Sequence, residues 1–128
     1  MTAMTYRLRP LILLLMLACL TAWTPPAVAA RLASVSGEAG TEGVRDASTF
    51  KLGEQDELTI SYNITQTGDA CNVQVRLFRK QGDEWRVVTI VHQTKETSRG
   101  SKKTTLPAGD YKIQVVATDA RFTVTVDN

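Results

Sequence analysis

From residue 49 onward, apolar and polar positions alternate with a period of two. Leu58, Ile60, Tyr62 and Ile64 alternate with Thr59, Ser61, Asn63 and Thr65, the pattern of a strand with one buried face. Gly68-Asp69 marks a turn. Cys71, Val73, Val75 and Leu77 then alternate with Asn72, Gln74 and Arg76, and Lys80-Gln81-Gly82-Asp83 reads as a hairpin connection. Residues 85–92 follow with Val87, Val88, Ile90 and Val91. These are apolar on both faces, which predicts a central strand or one with its second face covered. Residues 94–101 are polar and charged and predict a loop. Residues 102–106 fit a short edge strand whose lysines discourage pairing with another chain. Pro107 and Gly109 set a turn. Tyr111, Ile113, Val115 and Ala117 make the next alternation, Asp119-Ala120 turns the chain, and Phe122, Val124 and Val126 close it.

Residues 31–48 are weakly patterned. Gly37, Gly40 and Gly43 oppose regular structure, so only a short strand near residues 32–36 is expected, followed by a flexible loop. No stretch after residue 30 keeps a 3.6-residue period. Seven to eight short strands with turn signals every eight to twelve residues predict an all-β, two-sheet antiparallel β-sandwich, jelly-roll-like, with the 49–128 segment as its body. A closed barrel is the competing architecture.

Residues 1–30 belong to another class of polypeptide. Arg7 and Arg9 precede an apolar run over residues 11–20, and Pro25-Pro26 lead to Ala27-Val28-Ala29. This is the layout of a helical signal peptide with small residues at a cleavage site. Cuts after Ala29 and after Ala30 fit equally. About ten apolar residues fall short of the roughly twenty a membrane-spanning helix needs. Met16-Leu17-Ala18-Cys19 loosely resembles a lipobox, which would make Cys19 a lipidated N-terminus instead. The Ala27-Val28-Ala29 site is the better match and predicts a periplasmic or secreted protein, with a lipoprotein as the alternative.

The leader alters the charge and cysteine arithmetic. The 128 residues carry 15 Lys+Arg and 13 Asp+Glu, a formal +2. Arg7 and Arg9 are the only charged residues of the first 30, so residues 31–128 are formally neutral. That argues against a nucleic-acid binder. Cys71 is the one cysteine after residue 30 and His92 the one histidine. No internal disulfide is available beyond the leader, and a structural zinc site lacks its usual four Cys/His ligands.

The segment Ser98-Arg99-Gly100-Ser101-Lys102-Lys103-Thr104-Thr105-Leu106-Pro107-Ala108-Gly109-Asp110-Tyr111-Lys112-Ile113, with Asp119-Ala120-Arg121-Phe122-Thr123-Val124-Thr125-Val126 after it, resembles small secreted bacterial β-sandwich domains. It is similar in style to the bacterial pre-peptidase C-terminal domain, a jelly-roll appendage of secreted proteases. Phe50-Lys51-Leu52 and Glu57-Leu58-Thr59-Ile60 fit the same layout, so the resemblance spans residues 49–127. It implies a jelly-roll sandwich to which no catalytic residues carry over.

The candidate chemistry is sparse. Cys71 and His92 could form a nucleophile–base dyad, against which stands the core-facing alternation around Cys71. Glu54, Asp56 and Glu57 could offer oxygens to Ca²⁺, but Gln55 breaks the run and a solvated turn is the simpler reading. Lys95, Arg99, Lys102 and Lys103 form a local basic patch with Glu96 against it. That patch could meet an anionic glycan or lipid headgroups. Trp85 could stack on a sugar ring or cap the end of the core. These five residues, Trp85 with the four basic ones, are the expected partner-binding set, and no catalytic, cofactor or metal residue is expected. The expected function is an exported, non-catalytic module binding an envelope protein or glycan, with membrane contact only through a lipidated Cys19 or the basic loop. The rival is an inhibitor of an envelope-directed hydrolase that presents residues 94–103 to its target.

Overall fold

The computed structural model describes residues 30–128; the expected signal peptide, except Ala30, and the lipobox-like segment at Cys19 lie outside the described residues. Eight strands follow in order. They are β1 (Arg31–Ala39), β2 (Val44–Leu52), β3 (Asp56–Gln66), β4 (Asn72–Gln81), β5 (Glu84–Thr94), β6 (Ser98–Leu106), β7 (Gly109–Thr118) and β8 (Ala120–Asp127). They form two four-stranded antiparallel sheets, ordered β1-β8-β3-β6 and β2-β7-β4-β5. The architecture is the expected two-layer sandwich, not a closed barrel. Only β4 and β5 are consecutive in one sheet; every other connection crosses between the layers.

The alternation places the core as anticipated. Leu58, Ile60 and Ile64 from β3, Val73, Val75 and Leu77 from β4, Tyr111, Ile113 and Val115 from β7, and Phe122, Val124 and Val126 from β8 are sealed from solvent. Each strand contributes one face to the interior, so the two sheets bury each other. Phe50 stacks on Tyr111 with ring centroids 5.5 Å apart. The Tyr111 hydroxyl donates to the Pro107 carbonyl at 2.6 Å, which ties the turn before β7 to the core. Cys71 is buried.

Three local expectations are corrected. Residues 31–48 are not weakly structured, because β1 and most of β2 lie within them. Their pairing partners are β8 and β7, far along the chain, and pairing at that range leaves no local signature. Gly37 is a strand residue, and a Cβ there would meet the Phe122 ring at 3.0 Å, so this glycine makes room for a core aromatic rather than breaking the strand. Second, β5 is not central; it is the outermost strand of its sheet. Third, the expected loop over residues 94–101 shrinks to residues 95–97, and the edge strand expected at 102–106 begins at Ser98.

Candidate functional site

Val87, Val88 and Ile90 are the exposed large hydrophobic residues of the described chain, at 54, 44 and 48% exposure. All three lie on β5. Its register against β4 shifts twice, between Val75 and Arg76 and between Leu77 and Phe78. Each shift gives β5 one extra residue, a bulge that bends the strand. This is why strict alternation fails there and apolar residues reach both faces. Bulges also interrupt the outer ladder, so β5 presents side chains more than a clean backbone edge.

The cross-strand register lays out the exposed face of this sheet in rows. Lys51 opposes Asp110, and Lys80 opposes Trp85. Arg79 opposes Tyr111, which sets Lys80 beside Asp110. One row therefore runs Lys51, Asp110, Lys80, Trp85 across all four strands. The next holds Thr49, Lys112, Phe78 and Val87, from the pairs Thr49–Lys112, Phe78–Lys112 and Phe78–Val87. The Lys112 ammonium stands 4.7 Å from the Phe78 ring centroid and 4.9 Å from that of Trp85. It is a cation held between two aromatic faces. Beside it opens a cleft of about 440 Å³ lined by Thr49, Phe50, Lys51, Lys80, Trp85, Asp110 and Tyr111.

Trp85 is thus an outer-face residue. The end of the core is covered instead by Arg79, whose guanidinium lies 5.9 Å from the Tyr111 ring centroid and donates to the Ala108 carbonyl at 3.1 Å. The basic residues of the expected partner-binding set do not converge on Trp85. Lys95 sits in the short turn after β5. Arg99 and Lys103 oppose Asn63 and Thr59 on the outer face of the other sheet. Lys102 opposes the core residue Ile60, and its ammonium reaches Thr89 Oγ1 at 3.4 Å across the open flank. An inward-pointing lysine on an edge strand resists strand addition, so β6 is guarded by a charge where β5 is guarded by its bulges. Lys51, Phe78, Lys80, Asp110 and Lys112 were not singled out from the sequence. Their only signal was an outward position in an alternation, which a solvated face shares.

The other outer face is wet in character. Ser61, Asn63, Ser101, Thr123 and Thr125 line a depression of about 400 Å³ there with Arg99 and parts of Tyr62 and Gly100. These hydroxyl and amide groups are well served by water.

The remaining candidates separate as well. His92 opposes Val75 on β4. Cys71 lies four residues before Val75, about 13 Å along a strand. The His92 ring is instead stacked on Tyr62, centroids 4.0 Å apart and planes 12° apart, with Nε2 3.0 Å from Ser98 Oγ. Burial pushes its pKa down. Burial, reinforced by Asp119, pushes the Cys71 thiol up, which disfavours the nucleophilic thiolate. Asp56 Oδ2 accepts from Asn128 Nδ2 at 3.1 Å, and Glu57 points outward opposite Thr105. Among the described residues, no three His, Cys, Asp or Glu side chains gather as metal ligands.

No family model and no curated protein matches the chain. Solved structures do. The pre-peptidase C-terminal domain of a collagenase from Bacillus anthracis aligns at a TM-score of 0.52 and 14% identity, covering 74% of this chain and 88% of that domain. A protein of Sulfurospirillum deleyianum aligns at 0.51 and 7% identity, covering 80% of this chain and 97% of that one. At such identities the likeness is one of fold. It shows a β-sandwich fold similar to that of the pre-peptidase C-terminal domain, in keeping with the resemblance over residues 49–127.

Proposed function

We propose that the protein is an exported, non-catalytic interaction module that engages an envelope protein or glycan through the β5 side of its sandwich. One observation carries this reading. The exposed large hydrophobic side chains of the described chain are gathered on a single outermost strand. Scattered exposed apolar residues are ordinary on a protein surface, whereas a contiguous group points to a binding surface. The polar outer face of the opposite sheet has no such feature. Export is supported by the leader pattern of residues 1–30. The non-catalytic reading is supported by the separation of Cys71 from His92 and by the protonated, buried thiol. The fold likeness to a pre-peptidase C-terminal domain agrees with a non-catalytic domain.

The test is retention of native envelope material on the wild-type chain compared with Val87→Lys/Val88→Lys/Ile90→Lys. The reading expects a discrete species held by wild type and lost by the variant, with both chains melting alike. Equal retention by a folded variant would remove β5 from the account.

A further inference from the structure

We infer that the cleft beside Trp85 is a binding subsite for an acidic saccharide, a pyranose chain bearing carboxylate or sulfate groups. This rests on the reading of the protein as an interaction module but uses a different surface from the Val88–Ile90 stretch of β5.

The chemistry follows from the row Lys51, Asp110, Lys80, Trp85. Two ammonium groups flank one carboxylate, and a flat aromatic wall closes the row. Lys112 adds a third ammonium from the neighbouring row, held between Phe78 and Trp85. Asp110 makes no ion pair within 4 Å among the described residues, where the pairs are Arg31–Asp127, Arg86–Glu84 and Arg121–Glu38. The lysines therefore keep their charge available, and the cleft is locally positive on a segment that is formally neutral. Such a local field attracts an anion without any net basic charge.

Three features favour a saccharide. A sugar ring presents an apolar face of C–H groups that fits flat on an indole. Its hydroxyls donate to a carboxylate such as Asp110, while its anionic substituent meets Lys51 or Lys80. An acidic peptide lacks the flat apolar face that would cover Trp85. Finally, the side chains come from four neighbouring strands spaced about 4.8 Å apart. The site is thus a rigid track roughly 14 Å across, suited to an oligosaccharide more than a single sugar. The volume of about 440 Å³ falls in the range of small-ligand sites.

Tryptophan fluorescence gives a direct readout. The chain has two tryptophans, Trp23 and Trp85, so the full chain carrying Trp23→Phe reports on Trp85 alone. This protein is titrated with oligogalacturonate, a heparin-derived oligosaccharide, a neutral malto-oligosaccharide and polyglutamate. The inference expects a saturable change with one or both acidic saccharides, weakened by salt, and none with the neutral sugar. Oligogalacturonate against heparin separates a carboxylate preference from a sulfate preference. Lys51→Ala/Lys80→Ala should weaken binding about five- to tenfold, the scale of two exposed charge contacts, with unchanged melting. By calorimetry, Trp85→Phe should retain more affinity than Trp85→Ala. Equal binding of the neutral sugar would overturn the acidic specificity. Polyglutamate binding without saccharide binding would make the cleft a peptide site, and no response to any probe would remove it. Val88→Thr/Ile90→Thr, which adds no charge, should leave the titration unchanged, so loss of the saccharide site and loss of the β5 surface are separately visible.

Discussion

A Cβ on Gly100 would stand 2.6 Å from the Tyr62 hydroxyl oxygen and 2.9 Å from Tyr62 Cζ. The two residues are paired across β3 and β6, and the Tyr62 ring lies over the glycine. Its other neighbour is His92 from the opposite sheet, stacked at 4.0 Å. Gly100, Tyr62 and His92 thus form three layers that join the sheets along the flank between β5 and β6. Gly100→Ala should cost about 1–3 kcal/mol through overpacking, because His92 blocks retreat of the ring. Thermal melting checks this, and the loss should amount to roughly 4–8 °C per kcal/mol for a domain of this size.

The same stack predicts how stability depends on pH. Burial lowers the His92 pKa below its ordinary 6.5. The unfolded chain therefore takes up a proton at higher pH than the folded one. Stability is full above pH 6.5 and falls as pH drops through that value towards the folded pKa. Below the folded pKa this contribution changes no further. His92 is the only histidine, so His92→Gln should flatten the urea midpoint between pH 7.5 and 5.5. A slope that survives the substitution would place its origin elsewhere.

Asp119 ties three connections together. It adopts φ 47° in the left-handed region. Its amide donates to the Gly40 carbonyl, its carbonyl accepts from the Thr67 amide, and Oδ2 accepts from the Ala70 amide. Asp119→Asn keeps an acceptor and tolerates the conformation. Asp119→Gly keeps only the conformation. Asp119→Ala keeps neither and should lose most, about 2–4 kcal/mol from the strained backbone and the missing bond together. Chemical denaturation should rank the three in that order.

Much of the core was written in plain alternation. Leu58, Ile60 and Ile64 point inward as their period required, and so do Val73, Val75 and Leu77. In β5 the period misled. Val87, Val88, Ile90 and Val91 suggested a covered strand, but a run apolar on both faces does not say whether the second face is covered by the same chain. The bulges that create the run depend on pairing with β4. The Trp85 cleft was illegible for a related reason. Lys51 and Asp110 lie on different strands, and only register makes them neighbours of Lys80 and Trp85.

The exposed β5 residues should contribute little to folding. Val87→Thr/Val88→Thr/Ile90→Thr keeps β-branching, and each exposed site should change stability by no more than about 0.5 kcal/mol. A much larger loss in denaturant titration would mean these side chains support the fold rather than offer a surface.

Site-specific photo-crosslinking tests the central claim most directly. A photoreactive side chain is placed at Ile90 on β5, or at Ser36, which opposes Thr123 on the polar outer face. The full chain is irradiated in its native envelope. The account predicts a discrete adduct from Ile90, absent from Ser36 and abolished by Val87→Lys/Val88→Lys in the same chain. Adducts from Ser36 alone, or none from Ile90 in a properly localised protein, would contradict it.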